Sequence, residues 1–599
     1  MNRDKVLSPG AIDDLIADGQ KIVIMDEYVL KLDGWLDRHP GGRLVILHMV
    51  GKDATDEIHA YHSLATLKTM KALRIGRKPP GVWLNRTPPI RGGVFVKRAG
   101  SIAASDSGLS SDAEVGSVSA DESGSAYSQI GSDADPELSS ATSLSSEGSD
   151  AEEHVRVKAT GLAPPTGGVA RKRTAPKSNG DGVVDGVGEK IRSVEGVEAV
   201  VPTLASDGSE APEGTGKHAY SQPRFTADGY TAWAVRQEID KDSAIYPSVD
   251  PAVQQKIITK YQALHQRVHE EGHYECRYIE YGKEMARYST LFGAFLVALY
   301  FKWYMTSATF LGLFWHQIMF TAHDAGHLAI TQNFVADTLI GMFIADFCCG
   351  LSIGWWKSSH NVHHLLTNHP EHDPDIQNVP LFATSPAFFG SLRSSYYDFV
   401  FLWDAAANFL VPLQQYTYYP VLAIARFNLY ILSWGHVLSD RSTALGKSRA
   451  WWIRPTEISF MAIYWFLFGY LLLWRALPTW TIRVAFVLVS HIVPMPLHIQ
   501  INLSHWGMSH SDLGESESFP QRQLRTTMDV DCPAWLDFIH GGLQFQAIHH
   551  LFPACPATTS AFMDGNKKVL GRLGDISDQV KILVDCQNYM AENNEMGLH

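Results

Sequence analysis

Between Tyr288 and Ile330 the chain runs for 43 residues with only Lys302 and Asp324 charged. A single membrane crossing needs about 20 apolar residues, so this run has room for two closely joined spans. Inside lipid the backbone must satisfy its own polar groups, which restricts a segment of this kind to helix. The spacing predicts a helical hairpin turning near Lys302–Thr306. A second hairpin is predicted from Ile458–Trp474 and Trp480–His505, turning at Arg475–Thr479. Between them Phe399–Leu438 is apolar but broken by Asp404, Pro412, Pro420 and Arg426, the pattern of helices lying in the membrane interface. The expected unit is an all-α integral-membrane domain over residues 240–590 with two transmembrane hairpins. Its long loop 354–457 carries Lys357, Arg393, Arg426, Arg441, Lys447, Arg449 and Arg454, which points to the cytoplasmic side.

The rest of the chain is unlike this. Met1–Lys5 opens no apolar run, so no secretory signal is expected. Residues 1–80 read as a small soluble α+β domain, with a strand signal in Lys21–Met25 and Tyr28–Leu30 followed by short helical patterns. Residues 99–220 read as a disordered linker. Seventeen of the fifty residues 101–150 are Ser and ten are Asp or Glu, with no Lys or Arg, so too little apolar surface is present to offset the entropy of ordering. That stretch supplies −10 of the net charge of −13, and no basic surface runs along the chain to suit nucleic acid. Arg171–Arg173 reads as a solvated basic knot. The six Cys include no CxxC pair, which excludes a zinc ribbon or a disulfide scaffold, and Cys348–Cys349 read as helix-packing residues.

Histidine carries the chemistry. The chain has 26, and sixteen lie between His316 and His550. In the small domain His39 is followed by Pro40-Gly41-Gly42, a tight turn able to aim one ring, and Asp53-Ala54-Thr55-Asp56 leads to Tyr61-His62. A bis-imidazole haem needs two rings held rigidly from opposite sides; His62 fits the second position, with His59 the local competitor and His48 a helix-surface residue. This half resembles cytochrome b5 over roughly residues 5–80. The resemblance implies that His39 and His62 are the axial ligands of haem b, since the aromatic-His order of Tyr61-His62 keeps the family register.

In the membrane half, His323 and His327 are spaced i, i+4 on one helix face. His360, His363 and His364 form HxxHH, and Gln546, His549 and His550 form QxxHH. Such sets turn several neutral imidazoles toward one point, which suits a first-row transition metal. A hairpin returns to the face it left, so all three boxes are expected on one side, the side of the haem domain. Ionisable groups beside membrane spans are functional by default. His265, His269 and His273 lie at i, i+4, i+8 on a charged helix and read as a solvated face. His369 and His372 flank the second box, and they, Asp373 and Asp375 read as groups that orient ligand rings.

This constellation resembles the membrane fatty-acyl and sphingolipid desaturases, and Gln546 in place of a first His resembles their cytochrome b5-fused front-end branch. Trp355-Trp356-Lys357, Glu371–Asp375, Thr526–Cys532 and Gly541–Gln546 look most like the fungal Δ8-sphingolipid desaturases. The resemblance covers about 5–80 and 240–590. It implies a centre of two non-haem irons held by His323, His327, His360, His363, His364, His549 and His550. It also implies a further ligand near the end of the last span, for which His505 is the choice. Gln546 is placed at the catalytic site, as an iron neighbour, a water binder or a support for His549.

An alkyl chain has no acidic proton and no polarised bond, so acid–base residues cannot make it react. O₂ and two electrons are required. The resemblance supplies a route from NADH through a separate cytochrome b5 reductase to the fused haem and then to the irons. No GxGxxG follows a strand, which agrees with a nicotinamide site on another protein. The linker is expected to raise the effective concentration of the donor without fixing one docking pose. The expected protein is a multi-pass enzyme of the endoplasmic-reticulum membrane, with haem domain and His boxes cytosolic, that desaturates C8 of the long-chain base of ceramides. The alternatives are a front-end acyl desaturase such as Δ6, a cytochrome b5-fused lipid hydroxylase, and a membrane haem sensor or electron carrier.

Overall fold

The computed structural model describes residues 3–97, 227–439, 450–530 and 533–556. The predicted linker and the basic knot lie outside them, as does the end of the predicted membrane unit.

In the N-terminal part, Ser8 caps α1 (Pro9–Ala17) by accepting from the Ala11 amide (3.2 Å). Strands β1 (Ile22–Met25) and β2 (Tyr28–Lys31) pair antiparallel through a two-residue turn in which Asp26 takes a left-handed φ of 58°. Strand β3 (Arg74–Arg77) adds to β2. All four residues of β1 are buried, because apolar clusters lie on both its faces. Between β2 and β3 come α2 (Leu44–Leu47), α3 (Thr55–Tyr61) and α4 (Leu64–Met70). This is the expected α+β domain.

The second part is helical: α5 (Ala227–Ile245), α6 (Pro251–Glu270), α7 (Tyr278–Tyr300) and α8 (Tyr304–Gly326) come first. Helices α7 and α8 make the first hairpin; its turn is Phe301–Trp303, with Lys302 at a φ of 62°. Helix α9 (Phe334–Met342) runs on as a π-helical segment to Cys348 and bends by 115° into α10 (Ile353–Leu365). A ribbon of β4 (Leu392–Ser394) and β5 (Phe399–Phe401) follows. Next come α11 (Ala405–Leu410), α12 (Gln414–Ala423) and α13 (Ala425–Leu438). The segment expected to be helical from Phe399 therefore begins as a strand, and its helices bend by 68° at Ile424.

The second hairpin is α14 (Ile453–Trp465), π-helical onward to Ala476, then α15 (Trp480–Ile492) and α16 (Met495–Trp506). The chain ends its described part with α17 (Phe519–Thr526), α18 (Asp537–His540) and α19 (Gln546–Leu551). Among the described residues, Ile453–Ala476 and Trp480–Trp506 are each long and apolar enough to cross a membrane; each of the two bent pairs makes one more span if continuous. The α7–α8 pair is more polar, because α7 starts with Glu280, Lys283, Glu284 and Arg287, and α8 buries His316, Gln317 and Asp324. The main apolar core lies among α7, α8, α9, α13, α14 and α15, around Trp315, Tyr464 and Phe486.

The small domain is seated on the helical one, which corrects the expectation of a donor tethered without a fixed pose. Ala60 of α3 joins a core with Ile257, Tyr261 and Leu551, and Val45, Ile46 and Leu67 share another with Val362 of α10 and Leu366 just past its end. Residues beyond the third strand strap the two together. Asn85 Nδ2 donates to the Glu515 carbonyl (3.0 Å), and the buried Arg91 pairs with Asp512 (3.0 Å) and Glu515 (2.9 Å). Lys52 reaches Glu515 as well (3.1 Å). Complementary charge across a largely desolvated face selects one pose, which tethering alone does not.

Candidate haem cradle and metal centre

His39 follows a short 3₁₀ turn, Leu36–Arg38, and its Nδ1–H donates to the Gly42 carbonyl (3.1 Å). His62 ends α3, and its Nδ1–H donates to the Ile58 carbonyl (2.9 Å). Each ring is thereby fixed in one tautomer, with Nε2 left for a metal. The ring centroids are 6.0 Å apart, close enough for one metal to be held between the two rings. A Cβ on Gly41 would meet the His39 ring at 3.0 Å, so the Pro-Gly-Gly turn needs glycine for close approach. Burial, with His62 as a second cause, lowers His39 to about 4; burial also lowers His62, so both rings stay neutral. These residues fit a haem. His59 turns away to pair with Asp26 (3.0 Å).

Helix α8 presents His323 and, as its C-terminal cap, His327; α10 presents His360, His363 and His364; α16 carries His505 in its last turn; and α19 presents His549 and His550. The structure gathers all eight. Ligand atoms of His323, His327, His360 and His549 lie within 4.8 Å of one another, as do those of His363, His505 and His550. His360 and His363 form a third such group with Asp375. His364 stands between the two main groups, its ring centroid 4.9 Å from that of His327, 4.7 Å from His549 and 4.0 Å from His550.

Unsatisfied polar atoms test whether a metal fits. His327 Nε2, His364 Nδ1, His549 Nδ1 and His550 Nε2 are buried with no hydrogen-bond partner among the described residues. Burying a polar nitrogen unpaired costs about 1–3 kcal/mol, and a metal held at His327 Nε2 and His550 Nε2 would offset that cost there. The far nitrogens are tied down. His363 Nδ1–H donates to Asp373 (2.9 Å), His505 Nδ1–H to the Thr526 carbonyl (3.1 Å) and His550 Nδ1–H to Gln523 Oε1 (2.9 Å). Asp373 is in turn held by the amides of Asn368 (2.8 Å) and Asp375 (2.9 Å). Such outer bonds orient each ring and raise its basicity. Burial and neighbouring imidazoles, His323 for the first and His505 for the second, hold His549 and His550 far below the usual histidine range.

Other residues fall outside both groups. Gln546 is buried, and its Nε2 donates to the Leu543 carbonyl (2.9 Å). His369 contacts Asp512 (3.3 Å) and His372 bonds Ser395 (3.0 Å), so both serve the face under the small domain rather than the metal groups. His48, expected on a surface, is buried there with its ring 4.9 Å from that of His372. His265, expected on a solvated face, is buried against Tyr261 and Phe552 and bonds Tyr274 (3.0 Å), because α6 turns that face toward α19. Gln523 and Thr526 were not legible as ring-orienting groups: a lone glutamine and a backbone carbonyl carry no spacing signal.

Comparison with known proteins agrees with this geometry. Residues 13–78 match the family described as cytochrome b5-like haem/steroid binding domain, and residues 301–559 match fatty acid desaturase. The class is therefore a desaturase that carries its own cytochrome b5-like domain. A relative named Delta 8-(E)-sphingolipid desaturase from Emericella nidulans is 42% identical across 100% of this chain and 99% of its own. Proteins of the same name from Candida albicans (39% identical, 98% of each chain) and Kluyveromyces lactis (40%, 98% of this chain and 95% of its own) are also similar. The chain belongs to the Delta 8-(E)-sphingolipid desaturase family. Membership implies haem in the first domain and iron in the second, and an integral-membrane protein.

Proposed function

We propose that this desaturase introduces the C8 double bond into the sphingoid long-chain base of ceramides, the reaction its relatives are named for. The product is the E isomer by the same analogy. O₂ is the co-substrate, and electrons come from NADH through a separate cytochrome b5 reductase to the fused haem. The domains are 1–80 for haem, 99–220 for the linker and 240–590 for the desaturase. Two transmembrane hairpins anchor the latter in the endoplasmic-reticulum membrane, with haem domain and His boxes on the cytosolic side.

His39 and His62 hold the haem. His323, His327, His360, His363, His364, His505, His549 and His550 hold two non-haem irons, which supply the oxidising power against an unactivated C–H bond that no side chain has. Asp373, Gln523 and the Thr526 carbonyl keep the ring nitrogens aimed. Trp356, stacked on His360 with centroids 4.3 Å apart, shields the site from water. Gln546 braces the turn before His549 through Leu543 and acts as a positioning residue. The observation that carries the reading is the convergence of eight imidazoles, six buried and two half-buried, from four separate segments beneath a haem cradle. A sensor or simple electron carrier has no use for that convergence.

The test is expression in a yeast that makes ceramides but lacks Δ8 unsaturation, with mass spectrometry of long-chain bases and fatty acids. Long-chain bases two hydrogens lighter, unsaturated at C8 and absent with His323→Ala, are expected. New double bonds confined to fatty acids would favour the front-end acyl enzyme, and a hydroxylated base the hydroxylase.

A further inference from the structure

A cavity of about 910 Å³ opens between α9, α10 and α14 and is roofed by the haem domain through the turn from His39 to Leu44, with Leu36 and Asp37, and through Pro89–Gly92. Its lining is mixed rather than uniformly apolar, and three of its polar groups are not consumed by the fold. Glu457 is 1% exposed; its Oε1 accepts from Ser352 Oγ (2.8 Å) and the Gly354 amide (2.8 Å), while its other oxygen accepts no hydrogen bond from the described residues. Thr338 is 4% exposed, and its hydroxyl is buried with no partner among the described residues. Lys357 lines the same space with its ammonium over the Phe334 ring (5.8 Å) and forms no ion pair among the described residues. A carboxylate within a membrane-embedded helix and a buried hydroxyl without a partner are each costly, and a ligand that uses them removes the cost.

We propose that this cavity takes the polar end of the substrate, with Glu457, Thr338 and Lys357 recognising the hydroxyl and amide groups of a long-chain base. The assignment rests on the function proposed above. The acidic side chains lining the space, Asp37, Glu371, Asp398 and Glu457, are matched in number by Arg43, Arg91, Lys357 and Arg393, so the site is neutral overall, which suits an uncharged ligand rich in hydroxyls. Glu457 accepts the O–H or N–H donors, Lys357 donates to the amide carbonyl, and Thr338 does either. The opposite face of α9 exposes Val335, Leu339 and Phe343, a surface for the lipid from which the substrate enters.

Glu457 is fixed to Gly354 at the start of the helix that carries His360, six residues and about 9 Å of helix rise further on, so a head group held here has its chain beside the metal ligands.

Full-length wild type, Glu457→Gln and Thr338→Val are to be purified with haem content checked by absorbance, then assayed on ceramide with the double-bond position mapped by mass spectrometry. Both changes keep side-chain size, and Thr338→Val removes no internal hydrogen bond. We expect KM for ceramide to rise about tenfold in each variant, the weight of a lost buried hydrogen bond, with products at carbons flanking C8. An unchanged KM and a pure C8 product in both variants, with an active wild type, overturn the head-group site alone. A wild type that desaturates only acyl chains overturns both this site and the function on which it rests.

Discussion

The ring of Tyr61 stands edge-on to that of His364, with 6.1 Å between centroids and 89° between planes. Tyr61 directly precedes His62, so one residue bridges the haem cradle and the centre of the histidine cluster. Its hydroxyl is buried and takes no partner among the described residues, and burial pushes it well above the usual tyrosine range. The edge-on ring contact is the link that the structure shows between donor and acceptor. Tyr61→Phe is expected to leave reoxidation of the reduced haem unchanged. Tyr61→Ala, which opens a gap between donor and acceptor, is expected to slow it about tenfold or more, followed by stopped-flow absorbance.

The strap predicts a second effect. Arg91 is buried between Asp512 and Glu515, and Asp512 is held well below the usual carboxylate range: burial opposes this, but His369, Arg522 and Arg91 outweigh it. Arg91→Ala leaves Glu515 with Lys52 alone and Asp512 with His369 and Arg522, and is expected to weaken seating of the haem domain by about 1–3 kcal/mol. Hydrogen exchange over residues 85–97 and 512–517 reports it. Lys97→Ala, which breaks only the exposed pair with Asp18, is expected to change nothing measurable.

Asp56 gives a pH signature. Burial raises its carboxyl to about 7, with the Gln262 amide (2.8 Å) pulling the other way. Because the folded value exceeds the unfolded one, the stabilising contribution is complete below about pH 4 and is lost as pH rises to about 7. A shift of this size corresponds to roughly 4 kcal/mol. Asp56→Asn keeps the bond to Gln262 and removes the charge. It is expected to raise Tm at pH 8, with the gain over wild type vanishing as pH falls toward 4.

The bonds behind the rings predict a metal phenotype separable from haem. Asp373→Asn and Gln523→Ala are expected to lower iron affinity about 10–100-fold, read as non-haem iron per haem by atomic absorption, with the haem spectrum intact. His369→Ala, despite flanking the second box, is expected to leave iron content unchanged.

Much of this was legible in the sequence because chemistry repeats at fixed spacing. His323 and His327, or His360, His363 and His364, declare themselves through helical periodicity, and the Pro-Gly-Gly turn after His39 marks a built ligand. What stayed hidden depends on which elements meet. His48 and His265 look solvated in any window of sequence and are buried only because another element covers them. Seating of the haem domain through Arg91 and Asp512 joins positions separated by the whole linker, so no local pattern announces it. Gln523 orients a ring 27 residues away, a contact set by how α17 crosses α19.

The central claim is that electrons pass within one chain from the His39–His62 cradle to the histidine cluster below it. The direct measurement is the reoxidation rate of the chemically reduced haem, with O₂ and ceramide present and NADH and reductase absent, over a wide range of protein concentration. The account predicts a first-order rate independent of concentration and lost in His323→Ala. A rate that scales with concentration, or that survives in His323→Ala, would contradict it.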